Sequence, residues 1–550
     1  MKAALENQEA VKRSALWAAY GDALGYITEL TDEKGLKWRA GTARITTTVP
    51  WKRKIGGRFG VIVELPAGCY SDDTQLRLAT CRAIRGDGKF DVEAFAKVEV
   101  PVWLSYALGA GRGSKAAAVS LTRRDAAWTN NFFDNKTARY IDCGGNGAAM
   151  RIQPHVWAAI DRSNIETFLP DVIRNAICTH GHSRGILGAV FHALCLAYTL
   201  QHKKIPGANE WQDFVDCFRH VPELILKDSE LHDFWLPTWE QSSGRNIKAS
   251  FNDVAGECLK DIDLIREMTK NDPASHYANI VKGTGAMSPQ YRGSGTKTAI
   301  LAVALAWIYK HSPKEAIEVA ANLIGSDTDT IATMSGAIIG AAADEYPPGE
   351  ICDEIYIKEE ASRLCAISHK QKTKSFTYPD LLKWNVSSAQ SDFVGTEHGR
   401  LAVSGLGYVE TLGTSYEQKG KNGAVWQWLQ LATGQQIFAK RRLKPVVIPI
   451  TNLPLQVEKE DAIRQHSEGA QASLFDIGRK KEVQRPAPQK QLLTLDQATK
   501  QAINSGFNPA LIGRMLLEFS ECEDGIELAM GFSAIIAKAR RVRIDQKERR

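Results

Sequence analysis

Residues 321–345 read ANLIGSDTDTIATMSGAIIGAAADE. From Thr330 to Ala342 the run holds only apolar, small and hydroxyl side chains. A helix built from it has no charged face to offer water and must be covered on every side. Four polar residues, Asp327, Thr328, Asp329 and Thr330, stand at its start, although one side chain suffices to cap a helix. The surplus either faces solvent as ordinary helix-start residues or holds something charged. Gly336 and Gly340 in this stretch, like Gly21 and Gly25 in YGDALGYITEL, are four residues apart. That spacing puts both glycines of a pair on one helix face and lets a second backbone come close. The two pairs predict tightly packed helices that set acidic loops at a common cleft.

Helical periodicity dominates from residue 10 to about 365, as in TKTAILAVALAWIYKHS and SRGILGAVFHALCLAYTLQHK. An all-α domain is expected over residues 1–365. Residues 32–68 interrupt it with RITTTV and FGVIVEL around a basic WKRK, which suggests a loop or short hairpin. Residues 205–282, rich in Trp and charge, read as an inserted helical elaboration. From 370 to 455 short alternating runs are broken by Gly, predicting a small β-rich domain. Residues 456–491 are polar and nearly free of core residues, predicting a flexible linker. A helical C-terminal unit is expected over 492–550, opened by Thr494 and Gln497 at capping-box spacing.

Three further polar clusters accompany GSDTDT in the helical domain. Asp22 and Glu29 are seven residues apart, one face of a helix. Ser71, Asp72, Asp73 and Thr74 precede the helical pattern QLRLATCRAI, and CGGNGAAMRI is a glycine-rich turn feeding a helix. Read alone, SDDT or GSDTDT could be an exposed N-cap complementing the helix dipole. Together they suit a hard divalent cation. A hydroxyl and two carboxylates from each cluster would supply about half the shells of two Mg²⁺ ions, with water or substrate oxygen completing them. Without a cation, so many buried acids would repel one another and take up protons.

GDALG followed by Glu29, then SDDTQL, GNGAAMRI, THGHSRG and GSDTDTIATMSGAIIGA, in this order, resembles the ADP-ribosylglycohydrolase family over about residues 12–365. That family includes the dinitrogenase-reductase-activating glycohydrolases and the ADP-ribosyl-acceptor hydrolases. The resemblance implies an orthogonal helical bundle around two Mg²⁺ ions that removes ADP-ribose from a modified protein side chain or nucleic acid. It implies Ser71, Asp72, Asp73, Asp327, Asp329 and Thr330 as metal ligands. Ser71 departs from the family's usual Thr but keeps the hydroxyl, whereas Ser326 replaces a usual Gly and adds bulk beside the loop. Glu29 is the candidate catalytic residue, positioning a water or assisting the leaving group as an oxocarbenium-like state forms. Gly144, Gly145 and Gly147 permit close approach, so their N–H groups at a helix start are candidates for a diphosphate. Asn146 adds an amide. His182 is assigned to the ADP-ribose cleft, and the loop 283–297, with Tyr291 and Ser294, is assigned as its adenosine or acceptor wall.

The rest of the chain constrains partners. Residues 366–550 hold 27 Lys and Arg against 19 Asp and Glu, so the whole of the chain's positive balance of +6 lies there. Trp426, Trp428 and Phe438 interleave with Lys440, Arg441, Arg442 and Lys444. This composition is compatible with nucleic-acid contact and equally with a β-core that has one solvated basic end. QASLF, with Gln471, Leu474 and Phe475, resembles the short motif by which bacterial proteins dock on the DNA sliding clamp. Ten scattered cysteines show no C-x-x-C pair, predicting reduced thiols without structural zinc. The polar start lacks the order of a signal peptide, and AILAVALAWIY is too short to span a bilayer, so a cytoplasmic protein with no membrane partner is expected. The leading reading is a Mg²⁺-dependent ADP-ribosyl hydrolase. The alternatives are a non-catalytic ADP-ribose-binding module and a DNA- or clamp-associated adaptor.

Overall fold

The computed structural model describes residues 2–270, 277–387, 389–413, 417–420, 423–454, 493–521 and 525–548. Six helices place the functional site: α1 (Lys2–Thr28), α2 (Asp72–Ala83), α3 (Arg112–Leu121), α4 (Ser183–His202), α5 (Gly295–Ile308) and α6 (Thr328–Ala342). The apolar run singled out above is α6, buried at every position from Thr328 to Ala341. Its main cover is α1, running antiparallel to it. A Cβ on Gly336 would lie 2.3 Å from the Trp17 carbonyl oxygen, and one on Gly21 would lie 2.4 Å from that of Ala332. The hydroxyls in this contact are consumed by carbonyls of the opposite helix: Ser14 donates to Ala337 at 2.7 Å, Thr333 to Ala18 at 2.8 Å and Thr328 to Gly25 at 2.9 Å. Both predicted glycine pairs therefore sit at one backbone-to-backbone contact, which carries the end of α1 to the start of α6.

The hairpin differs in register from the expected one. Its strands are β1 (Trp51–Ile55) and β2 (Val61–Leu65), paired antiparallel, while RITTTV is irregular. The basic WKRK is itself a strand: Lys52 and Lys54 point to solvent, and Trp51 and Arg53 point inward. Residues 205–282 are helical where described, with Ile247–Met268 the longest helix. By length and composition α4, the helix read from SRGILGAVFHALCLAYTLQHK, is apolar enough to cross a membrane. It is the central core helix here, 89% buried across its most apolar window.

The strand-containing region comprises β3 (Val394–Glu397), β4 (Arg400–Val403), β5 (Gly407–Thr411), β6 (Gln418–Lys419), β7 (Ala424–Leu431), β8 (Gln436–Arg442) and β9 (Val446–Val447). β9 joins β3 in parallel. β3, β4, β5 and β7 follow as antiparallel neighbours, and β8 lies along β7. Its Val403, Leu406, Trp426, Leu429 and Ile437 belong to the same continuous core as α1 and α6. The aromatic and basic residues whose composition suited nucleic-acid contact and a β-core equally are mostly engaged within the fold. Trp426 and Phe438 are 4% and 2% exposed, Arg441 pairs with Glu417, and Arg442 pairs with Asp392 at 2.5 Å. The β-core alternative matches this placement. The clamp-like segment 471–475 lies outside the described residues. Helices Leu495–Asn504, Pro509–Ser520 and Gly525–Glu548 share a second apolar cluster with Phe234.

Replacing Gly336 by Val drives side-chain atoms into the Trp17 carbonyl. Overpacking of this kind costs about 3 kcal/mol, so Gly336→Val should lower the unfolding free energy by about that amount, read by urea denaturation.

Candidate functional site

The acidic loop 71–74 is held from below by α1. Asp22, wholly buried, accepts the N–H of Ser71 at 2.9 Å and that of Thr74 at 2.8 Å, so it caps α2 across 49 and 52 residues of chain. Ser71 occupies the N-cap position itself, its Oγ accepting from the Asp73 N–H at 3.2 Å. Ser71 and Asp22 do not line the cleft; Asp72 and Asp73 do. The loop before α3 wraps Asp72. Leu108 accepts the Asp72 N–H at 2.8 Å, and the Ala110 N–H donates to Asp72 Oδ1 at 2.7 Å. Ala110 has φ +90°, a strained conformation that costs a non-glycine residue about 1–3 kcal/mol.

Asp327, Asp329 and Thr330 face these acids from the start of α6 and line the same cleft. Asp327 stands at the N-cap position but caps nothing, since its Oδ2 accepts from the Asn146 amide. Thr330 Oγ1 lies 3.4 Å from Asp73 Oδ1 and joins the two walls. Asp72, Asp73 and Asp329 are 7%, 2% and 3% exposed, which rules out exposed capping residues. Ser326 turns its hydroxyl to the Leu323 carbonyl at 2.8 Å and leaves Asp327, Asp329 and Thr330 their places in the cleft.

Glu29 lines the cleft too, but from just beyond the end of α1. The expected helix face shared with Asp22 is therefore not formed: the helix stops at Thr28. Arg53, reaching inward from β1, pairs with Glu29 Oε2 at 2.8 Å. Arg39 donates to the Glu29 carbonyl at 2.7 Å.

So many acids in one place hold their protons tightly. Burial, then the Glu29 charge, pushes Asp72 up to about 7 and Asp327 up to about 6. Burial and neighbouring carboxylates also raise Asp73 and Asp329. Arg77, buried beneath the loop and donating to Thr74 at 2.6 Å and Thr333 at 3.0 Å, opposes this rise in Asp22 and Asp73. Asp73 Oδ2 is buried with no hydrogen-bond partner among the described residues.

The far wall is the glycine turn. Gly144, Gly145, Asn146 and Gly147 all line the cleft. They lead into a 3₁₀ turn (Ala149–Arg151) and then the helix the turn was expected to feed, which is only five residues long (Gln153–Trp157). Two of the turn's N–H groups are already used, Gly144 toward Asp142 and Asn146 toward Gly293, both at 2.9 Å. Ser294 is brought to the turn by a bridge with Gly145, and its buried hydroxyl has no partner among the described residues. Tyr291 does not line the cleft; its ring packs between Arg184 and Lys297, 5.3 and 5.0 Å from its centre. Arg292 and Gly293 form that wall instead.

His182 is also displaced from its expected role. Its Nδ1 caps α4 by accepting the Arg184 N–H at 3.1 Å. The cleft histidine is His180. Arg151 donates to Thr179 Oγ1 at 2.8 Å, and that hydroxyl lies 2.7 Å from His180 Nδ1. The arrangement that uses every donor has Thr179 donating to Nδ1, which leaves the ring proton on Nε2. Burial, then the Arg151 charge, pushes His180 down to about 3, so the ring is neutral. Nε2 is 3.2 Å from where a Cβ of Gly147 would stand, so the glycine leaves room for a ligand oxygen beside the N–H. THGHSRG offered two histidines, and only packing tells them apart.

The start of α3 completes the cleft through Gly111, Arg112, Gly113 and Ser114, with Arg139 and Arg292 at the rim. Gly111 supplies no side-chain cap, and Ser114 is 2% exposed. The stretch GAGRGS, residues 109–114, which runs into the helix, was the available signal. The cleft of about 540 Å³ thus has an acidic floor and a basic rim, within the range for a small-molecule site.

Residues 5–366 match the family model described as ADP-ribosylglycohydrolase. The chain belongs to the ADP-ribosylglycohydrolase family. Membership places it among hydrolases that remove ADP-ribose. It is 25% identical over 332 residues to the uncharacterized protein YegU of Escherichia coli (strain K12), covering 59% of this chain and 84% of that one. It is 27% identical over 291 residues to ADP-ribosylhydrolase ARH3 of Danio rerio, covering 50% of this chain and 69% of that one. Over 292 residues it is 24% identical to ARH3 of Bos taurus, covering 50% and 70%. A solved structure titled ADP-ribosylglycohydrolase-related protein complex aligns at a TM-score of 0.41 and 19% identity, covering 66% of this chain and 99% of that one.

The raised carboxylates make stability depend on pH. A carboxylate whose folded value lies above its unfolded one stabilises the fold while protonated and loses that contribution as pH rises through the folded value. With Asp327 at about 6 and Asp72 at about 7, the protein in chelator should melt at a lower temperature at pH about 8 than at pH about 5. Asp73→Asn should shrink the difference, as read by differential scanning fluorimetry.

Proposed function

We propose that this protein is a Mg²⁺-dependent ADP-ribosyl hydrolase that frees an acceptor from ADP-ribose. The observation that carries the reading is the facing of Asp72 and Asp73 by Asp327, Asp329 and Thr330 across one floor, with Asp73 Oδ2 unpartnered among the described residues. Among the described residues no three Asp, Glu, His or Cys groups converge as a ready-made cluster. Oxygens of both walls would hold an ion here, with water and substrate oxygens available to complete a shell of the kind Mg²⁺ favours. Asp72 and Asp73 on one side and Asp327, Asp329 and Thr330 on the other would hold two ions. The Ser71 hydroxyl, engaged by the Asp73 N–H, is the weakest member of the expected set. When bound, the ions would neutralise the floor, fix the vicinal ribose hydroxyls and polarise a water.

The chain's own groups divide the remaining work. The basic rim of Arg112, Arg139 and Arg292, the open start of α3 and the neutral His180 Nε2–H suit a diphosphate next to that ribose. Glu29, fixed by Arg53, orients the water and takes its proton as the oxygen bonds to the anomeric carbon. The bond from that carbon to the acceptor breaks, its electron pair leaves with the acceptor, and a proton from solvent completes the free acceptor beside ADP-ribose.

The test is turnover of a panel of ADP-ribosylated substrates, modified protein and modified nucleic acid included, in Mg²⁺ and in chelator. Asp73→Ala and Asp327→Ala should lose turnover while remaining folded; full activity of either in chelator overturns the metal reading. Glu29→Gln should lower kcat with little change in ADP-ribose affinity, whereas an equal loss of both would make Glu29 a binding residue.

A further inference from the structure

The strand-containing region lies beyond the residues 5–366 that match the family, yet it is tied to the acidic loop. Tyr70 immediately precedes Ser71, is 3% exposed, and donates its hydroxyl to Asp353 Oδ2 at 2.5 Å. Both Asp353 oxygens also lie 3.0 Å from the backbone N of Gln436, at the start of β8. Asp353 adopts φ +60°, a conformation a non-glycine residue keeps only when its surroundings hold it.

Gln435, fully buried at the tip of the β7–β8 hairpin, makes a second connection. Its Oε1 accepts from Arg82 Nη1 on α2 at 2.6 Å, and its Nε2 lies 3.5 Å from the Tyr70 hydroxyl. Arg82 in turn makes two 2.8 Å bonds to the buried Glu99. A third connection comes from Lys440 on β8, whose N–H donates to the Ser105 carbonyl at 2.7 Å. Ser105 belongs to the segment whose Leu108 and Ala110 hold Asp72. None of Tyr70, Asp353, Gln435 and Gln436 lines the cleft.

We propose that the tip of the β7–β8 hairpin, acting through Asp353 and Tyr70, latches the acidic loop 71–74 at the distance from α6 that a bound cation requires. Tyr70 and Asp353 are positioning residues, and the strand region is part of the catalytic unit. The physical need is geometric: Asp72 and Asp73 face Glu29, Asp327 and Asp329 across one floor, and carboxylates brought together out of water repel one another. Asp22 secures the loop from one side only, by the N–H groups of Ser71 and Thr74. The latch secures the residue just before them from the other side. This inference rests on the metal-dependent reading of the cleft.

The test uses the full-length protein and calorimetric titration with Mg²⁺ in the absence of substrate, alongside turnover at saturating Mg²⁺. Tyr70→Phe removes only the hydroxyl, Asp353→Ala removes the acceptor, and Asp353→Asn keeps one acceptor oxygen. Changes to groups behind metal ligands weaken metal affinity by about tenfold or more. Tyr70→Phe and Asp353→Ala should therefore raise the Mg²⁺ Kd by about tenfold, with turnover at saturating Mg²⁺ near that of the parent. Asp353→Asn should remain close to the parent in both. A lowered melting temperature with unchanged Mg²⁺ affinity in Tyr70→Phe overturns the latch and leaves the metal reading standing. A parent protein that takes up no Mg²⁺ overturns the metal reading and the latch with it.

Discussion

The close contact between α1 and α6 is what the rest of the molecule is arranged around. Four glycines remove the side chains that would hold the two backbones apart, and carbonyls of one helix accept the hydroxyls of the other. Because the helices run antiparallel, the end of α1 meets the start of α6, and Glu29 arrives beside Asp327 and Asp329 with no long loop between them. The same contact places Asp22 beneath α2, so one helix delivers Glu29 to the cleft just past its end and anchors the acidic loop 71–74.

That geometry concentrates negative charge out of water. Asp22, Asp72, Asp73 and Asp329 are all buried, with Arg77 the buried cation set against them. Burial and mutual repulsion disfavour the ionised acids, so the site favours protons, and on the proposed reading a divalent ion would compete for the same oxygens. A structural acid would be given its hydrogen bonds, as Asp22 is given two. Asp73 Oδ2 is given none among the described residues. This contrast between two buried aspartates separates the anchor from the candidate ligand.

The region after residue 366 belongs to the same argument. Its side chains complete the core that contains α1 and α6, and its hairpin tip supplies acceptors and donors to Arg82 and Asp353. Trp426 and Phe438 looked like a stacking surface because strand alternation brings aromatic and basic residues together in sequence whether they end up on one face or on two. Folding sends the aromatics inward and pairs Arg441 and Arg442 with acids.

Much of the site was legible because its signals are local. An apolar helix with no polar face, glycines four residues apart and carboxylates at helix starts carry their meaning within a few residues, and the ordered motifs carried the family. The misplaced residues depended on what lies across the cleft. Glu29 was assigned to the helix, which ends one residue earlier. His182 and His180 are two residues apart and differ only in that one caps α4 and the other meets the glycine turn. Tyr291 lost its place to Arg292 because Arg184 and Lys297 hold its ring elsewhere. The loop wrapping Asp72 and the latch at Asp353 join residues 38 and 283 positions apart. The sequence by itself determined which segments are helical, which are buried and which acids are in surplus, since periodicity and composition act along the chain. Only the tertiary structure decided which of those acids face one another, which are already bonded and which remain for a ligand, because hydrogen-bond partners and desolvation are properties of neighbours in space.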